Sequence, residues 1–153
     1  MNNFQYHNPV KIIFGKGQIA QLSKQIPADT RIMLTYGGGS IFKNGIYEQV
    51  KLALSDREIV EFGGIEANPT YETLMKAVEM ARTEKVDFLL SVGGGSVLDG
   101  TKFIAAAIPF TGADPWQIVA NRAKITSAVP IGAVLTLPAT GSEMNYYAVI
   151  SKK

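Results

Sequence analysis

The sequence predicts an α/β domain built on a doubly wound, mainly parallel, Rossmann-like sheet. Strand-like and helix-like segments alternate along the chain, the order that places helices on the faces of a parallel sheet. Three apolar runs, residues 31–36, 87–92 and 128–136, are near-continuous, as strands covered on both faces are. Tyr36-Gly37-Gly38-Gly39-Ser40 and Val92-Gly93-Gly94-Gly95-Ser96 form a near repeat of strand, turn and helix. Both turns are expected at the carboxyl ends of strands, where ligands bind in such sheets.

Residues 10–14 alternate partly and read as a first strand. Gly15-Lys16-Gly17 turns the chain into a helix over 18–25, ended by Pro27. Residues 31–36 form the next strand, followed by the first glycine turn and a helix near 42–54. Its face is Ile46, Val50 and Leu54 at four-residue spacing. A short strand covers 57–62 and a loop covers 63–70. Thr70 caps a helix over 71–84 whose inner stripe is Leu74, Ala77, Val78 and Ala81. Residues 87–92 are a strand, Gly93-Gly94-Gly95-Ser96 the second turn, and 101–107 lie in the helix after it, closed by Pro109. Residues 112–127 read as loop, with a helical turn opened by Asp114-Pro115-Trp116. A core strand covers 128–136, with Pro130 at its start. A further strand is expected over 146–150.

The whole chain, residues 1–153, reads as one domain long enough to bury a core. Hydrophobic residues make up 46% and charged residues 18%, the balance of an ordinary globular protein. Fifteen basic against 13 acidic side chains leave +2, too even to argue for nucleic acid or an anionic membrane. There is no cysteine, hence no disulfide framework, thiolate nucleophile or cysteine metal site. No apolar run reaches the ~18 residues of a membrane span. The N-terminus lacks a signal-peptide pattern, so the expectation is a reducing cytoplasm.

The second glycine turn is where chemistry concentrates. Three glycines remove every Cβ, so a ligand can approach the backbone. The first amides of the following helix are unpaired at the positive end of its dipole, a place that suits a phosphate. Neither standard nucleotide pattern fits. A GxGxxG motif requires glycine at position 98, which is Leu98, and the P-loop Gly-Lys-Ser/Thr is absent. On glycines alone, a packing turn and a phosphate turn both remain open.

Longer motifs carry a resemblance. The run from Gly93 to Lys102 resembles the pyrophosphate turn of the iron-containing alcohol dehydrogenases. Thr136-Leu137-Pro138-Ala139-Thr140-Gly141-Ser142-Glu143 resembles that family's second signature. Tyr36-Gly37-Gly38-Gly39-Ser40 is similar to the adenosine-side turn of its NADPH-dependent butanol dehydrogenase and aldehyde reductase branch, and Phe14-Gly15-Lys16-Gly17 also matches. The resemblance implies a dehydroquinate synthase-like amino-terminal domain that binds NADPH. It places Gly94, Gly95 and Ser96 at the pyrophosphate and Gly37, Gly38, Gly39 and Ser40 at the adenosine ribose. Asn68 is implied to touch the cofactor, with Thr136, Leu137 and Thr140 near the nicotinamide ribose or phosphates and Val149 packed on it. Asp99 belongs to the family pattern.

Each assignment has a plainer counterpart. Asp99 is equally read as a carboxylate at a helix N-terminus. Asn68, before Pro69, suits a helix-entry turn. Thr136, Leu137 and Thr140 suit a strand-to-strand turn, and Val149 any buried position. NAD selectivity usually needs a carboxylate on the ribose 2′-hydroxyl, and the first turn has none. With Ser40 and a helix N-terminus beside it, that turn tolerates a 2′-phosphate. Glu58 and Glu61, about twenty residues on, read as solvent-facing. His7, the single histidine, reads as a surface residue, and Trp116 and the tyrosines as packing.

The resemblance therefore implies an oxidoreductase domain that passes a hydride between NADPH and an aldehyde or primary alcohol. In the family a divalent metal, iron or zinc, held by one Asp and three His, polarises the substrate oxygen. One histidine cannot supply three, so neither metal ligands nor catalytic residues are expected here. The chain is expected to be the amino-terminal part of a longer enzyme and inactive alone. The alternatives are a nucleotide-binding module without catalysis and a dehydroquinate synthase-type relative. Nucleic acid and membrane partners are not expected. An edge near Ile150 could pair with a second copy in a homodimer.

Overall fold

A computed structural model describes residues 3–153. Four strands form one sheet: β1 (Ile32–Tyr36), β2 (Ile59–Phe62), β3 (Phe88–Gly94) and β4 (Ile131–Leu137). Their spatial order is β2-β1-β3-β4, and every pairing is parallel. The helices are α1 (Leu22–Gln25), α2 (Ile46–Ala53), α3 (Tyr71–Thr83), α4 (Gly95–Ala107) and α5 (Gln117–Ala120).

Side-chain alternation in the central strands splits the core into two layers. Ile32, Leu34, Leu90 and Val92 point to one face, where Val50 of α2 and Leu54 just after it meet them with Ile26. Met33 and Leu89 point to the other face, against Leu74, Ala77, Val78 and Ala81 of α3 and Phe103 and Ile104 of α4. Because both faces are covered, β1 is buried from Ile32 to Thr35. This is the reason for its unbroken apolar run. A buried polar pair lies within this packing: the Thr35 and Thr101 hydroxyls are 2.7 Å apart, joining β1 to α4.

The expected apolar stripes and the Thr70 cap are present, the Thr70 side chain accepting from the Thr73 amide. Several boundaries differ. Residues 10–14 form no strand, because neither sheet edge pairs with them and their amides have no ladder to join. Phe14 is 96% exposed. Residues 18–25 are a 3-10 turn over Gln18–Gln21 followed by α1, which ends at Ile26 in an extended conformation before Pro27. Residues 146–150 are not a strand either; a single parallel bridge joins Ser151 to Thr70.

The chain after each glycine turn also departs from expectation. Ser40 opens a three-residue 3-10 turn, Ser40–Phe42, and α2 begins only at Ile46 after the left-handed Gly45. So Ser40 is not at an α-helix N-terminus. The second turn is tighter: β3 runs through Gly94 and α4 begins at Gly95.

Candidate functional site

The strand order reverses direction between β1 and β3. One neighbouring pair of crossovers therefore leaves in opposite directions, opening a crevice at the strands' carboxyl ends. Both glycine turns emerge there, Gly37 after β1 and Gly94 at the end of β3. They abut: a Cβ on Gly37 would lie 3.4 Å from Val97 Cγ2 in α4 and 3.2 Å from the Ile65 carbonyl. The first turn is held by Gly64 donating to the Gly37 carbonyl (3.1 Å) and Ile65 donating to the Tyr36 carbonyl (3.2 Å).

The glycines divide into two kinds. A Cβ on Gly93 would sit 2.7 Å from Val97 Cγ2, and one on Gly100 2.8 Å from Leu74 Cδ2, so these two serve packing. Gly94 and Gly95 would each meet nothing closer than 4.0 Å, Leu137 Cβ and Thr140 Oγ1 respectively, and Gly38 nothing within 4 Å. Those bare positions lie on the crevice side. The thirteen-residue α4 has no side-chain cap at Gly94, so its first amides meet no cap from the protein. That is a cradle an added Cβ would fill, with unpaired donors beside it. A dinucleotide pyrophosphate fits both features.

The polar side chains around the second turn have partners. The Ser96 hydroxyl donates to the Ala67 carbonyl, which brings Asn68, exposed, to the mouth of α4. Asp99 does not cap α4. It lies at the fifth position of the helix, and its carboxylate accepts from the Ser142 hydroxyl (2.5 Å) and the Val149 amide (3.1 Å). Lys102, one turn on, donates to the Ser142 hydroxyl (2.7 Å) and the Tyr147 carbonyl (2.8 Å). Partial burial holds its ammonium pKa below the usual lysine range, against the opposing pull of Asp99 and Glu143. This network folds the chain after β4 back onto α4 and sets Thr140 beside Gly95. Val149 is bound through its amide while its side chain is 68% exposed, not buried.

Thr136 is the extra residue of a β-bulge. Gly93 pairs with Leu135 and Gly94 with Leu137, so Thr136 is skipped. Leu137, 67% exposed, stands next to Gly94.

At the first turn an open cleft of about 670 Å³ is lined by Tyr36, the three glycines 37–39, Phe42, Lys43 and Gly63-Gly64. The sequence reading missed Phe42, Lys43 and the Gly63-Gly64 wall. A Cβ on Gly63 would overlap the Tyr36 ring, a signal visible only in three dimensions. Glu58 and Glu61 are not equivalent solvent-facing residues. Glu58 pairs with Arg31 (3.5 Å) at the far end of the sheet. Glu61 accepts from the Tyr47 hydroxyl (2.8 Å) and pairs with Lys51 (3.2 Å). The Glu61 bond, with burial, pushes the Tyr47 hydroxyl up to about 12.

His7 is exposed. Trp116 stacks edge-on against Tyr71. Among the described residues no group of three or more His, Cys, Asp or Glu side chains is placed to hold a metal, so the residues present do not fit the metal centre that the resemblance implies. No helix among them is long and apolar enough to cross a membrane.

The family model for iron-containing alcohol dehydrogenases matches residues 9–153. The NADPH-dependent aldehyde reductase YqhD of Escherichia coli (strain K12) is 61% identical over all of this chain and 40% of its own length. A crystal structure of that protein superposes with a TM-score of 0.94 at 59% identity, over 99% of this chain and 39% of the other. A probable NADH-dependent butanol dehydrogenase 2 from Bacillus subtilis (strain 168) is 48% identical over 99% of this chain and 39% of its own. NADH-dependent butanol dehydrogenase A from Thermotoga maritima superposes with a TM-score of 0.89 at 39% identity, over 99% of this chain and 44% of the other. The chain thus spans about two fifths of the length of the curated relatives it matches. It belongs to the iron-containing alcohol dehydrogenase family.

Proposed function

We propose that this member of the family is the dinucleotide-binding domain of an NADPH-dependent aldehyde reductase or alcohol dehydrogenase. The observation that carries the reading is the convergence of two glycine turns on one crevice, the second opening an uncapped helix. Gly94, Gly95 and Ser96 would hold the pyrophosphate through backbone amides, since the Ser96 hydroxyl is engaged with Ala67. Gly37, Gly38, Gly39 and Ser40 would face the adenosine ribose, with Asn68 between the two turns. Asp99, on α4, would stand beside the pyrophosphate turn. Thr136, Leu137 and Thr140 would lie near the nicotinamide ribose or phosphates and Val149 would pack on the cofactor, on β4 and the segment after it that Asp99 and Lys102 fasten to α4. Bound there, the cofactor supplies a hydride for reduction of an aldehyde, or accepts one from a primary alcohol.

NADPH is favoured over NADH in this reading. No carboxylate lines the first cleft, and Glu61, the nearest counterpart of a ribose-binding acid, is engaged by Tyr47 and Lys51. The relatives include proteins named for each cofactor, so the preference rests on those residues. The test is titration of the protein with NADPH and with NADH, followed by fluorescence. Tighter NADPH binding is expected. Equal or tighter NADH binding overturns the preference, and binding of neither overturns the domain assignment.

A further inference from the structure

The cleft beside the first glycine turn has a single charged lining residue, Lys43. We infer that Lys43 selects the cofactor by pairing with a phosphate on the adenosine ribose, an inference that rests on the dinucleotide reading above.

Four observations support it. Lys43 follows the Ser40–Phe42 turn directly and is fixed to it, its amide donating to the Ser40 carbonyl at 3.0 Å. Its stem therefore rises from the same turn that presents the exposed Ser40 hydroxyl. Its ammonium is exposed and, among the described residues, enters no side-chain hydrogen bond or ion pair, unlike Lys51 and Lys102. No carboxylate lines the cleft to compete for it, and Glu61 of β2 is taken by Tyr47 and Lys51. Finally, Phe42 is wedged edge-on to Tyr36, with ring centroids 5.3 Å apart, and tilted on Tyr47 at 4.6 Å. That aromatic wall fixes the turn on which Lys43 stands and leaves Phe42 44% exposed to a flat base.

The rest of the cleft is glycine backbone and aromatic ring, which distinguish poorly between a ribose with and without a phosphate. A lysine ammonium is a point charge for phosphate, and a charge-assisted contact at a partly solvated site separates the two ligands by about tenfold or more.

The probes are 2′,5′-ADP and 5′-AMP, which differ only in the phosphate at issue, titrated calorimetrically into the parent, Lys43→Met and Lys43→Arg. Lys43→Met keeps the stem and removes the charge. It is expected to weaken 2′,5′-ADP about tenfold while changing 5′-AMP less than about twofold, and Lys43→Arg to restore the difference. The salt dependence of 2′,5′-ADP binding should flatten in Lys43→Met, a readout that a merely disturbed turn would not give. Equal loss of both nucleotides, or no loss of 2′,5′-ADP, overturns the assignment of Lys43 while leaving the dinucleotide reading intact. Failure of the parent to bind either nucleotide overturns both.

Discussion

Gly93 and Gly94 are adjacent, yet they lack side chains for different reasons, and two substitutions separate those reasons. In Gly93→Ala the new methyl would sit 2.7 Å from Val97 Cγ2 and 3.0 Å from Val97 Cβ, inside a buried turn. Neither side can yield without moving the first turn of α4. Overpacking of this kind costs about 1–3 kcal/mol. For a chain of this size that is a fall in Tm of roughly 2–12 °C. Gly94 has φ −84° and ψ −173°, extended backbone that a β-branched residue adopts freely. The nearest atom to its Cβ would be Leu137 Cβ at 4.0 Å, ordinary contact with an exposed side chain. Gly94→Val should therefore melt within roughly 2 °C of the parent, the range of a neutral substitution. Its added methyls enter the space assigned to the pyrophosphate. The same overpacking, now against the ligand, weakens NADPH by roughly 5- to 150-fold. Thermal unfolding and a fluorescence titration of each variant read both quantities. A Gly94→Val protein that melts like the parent and binds NADPH as tightly would refute the placement of the phosphate. A Gly93→Ala protein of unchanged stability would refute the division of the glycines.

Gly38→Asp should fold normally, since no atom lies within 4 Å of its Cβ and its φ is not left-handed. It should weaken NADPH on the order of fivefold or more by charge repulsion and shift preference toward NADH, measured by parallel titrations. Glu66 accepts from the Thr73 hydroxyl (2.7 Å) and the Thr70 hydroxyl (3.1 Å) at the start of α3. Burial alone would raise its pKa, but these bonds and the backbone amides outweigh it, and the carboxyl ends below its ordinary 4.5. Its stabilisation is thus fully present above pH 4.5 and lost as pH falls through the lower folded value. Glu66→Gln should be about 1 kcal/mol less stable at neutral pH and lack that acid dependence in urea melts at graded pH. Lys102→Met should speed amide hydrogen exchange over residues 142–149 with little change in α3; unchanged exchange there would show that the Ser142 and Tyr147 contacts do not hold the segment.

Those elements that pack against a continuous core were legible. The stripes of α3 and the unbroken run of β1 reflect burial, which fixes residue type at every turn or every position. The failures lie where burial does not decide. Residues 10–14 have a strand's alternation, but strand formation needs a partner edge, and nothing local announces whether one is free. Residues 146–150 have β-forming side chains, yet their backbone is drawn instead to Asp99 and Lys102. The late start of α2 follows from the left-handed Gly45, which interrupts a stretch whose apolar spacing alone reads as helix.

At the candidate site the two glycine turns were legible as turns at strand ends, but not what the polar side chains around them do. Ser96, Asp99 and Glu61 each look available in one dimension, and each is engaged in three, by Ala67, by Ser142 with Val149, and by Tyr47 with Lys51. Polar partners so distant in sequence leave no local pattern. The physical consequence is a division of labour. Side chains at the second turn fix the shape of the crevice, and the donors left for an anion are backbone amides at the head of α4. Amides bind phosphate whatever lies beyond it, so under the proposed function the second turn would not tell one dinucleotide from the other. On the proposed reading, discrimination falls to the first turn, where a three-residue 3-10 turn stands in place of the α-helix N-terminus that the sequence suggested. The groups left to supply it are the exposed Ser40 hydroxyl and the one charge on the cleft wall, Lys43.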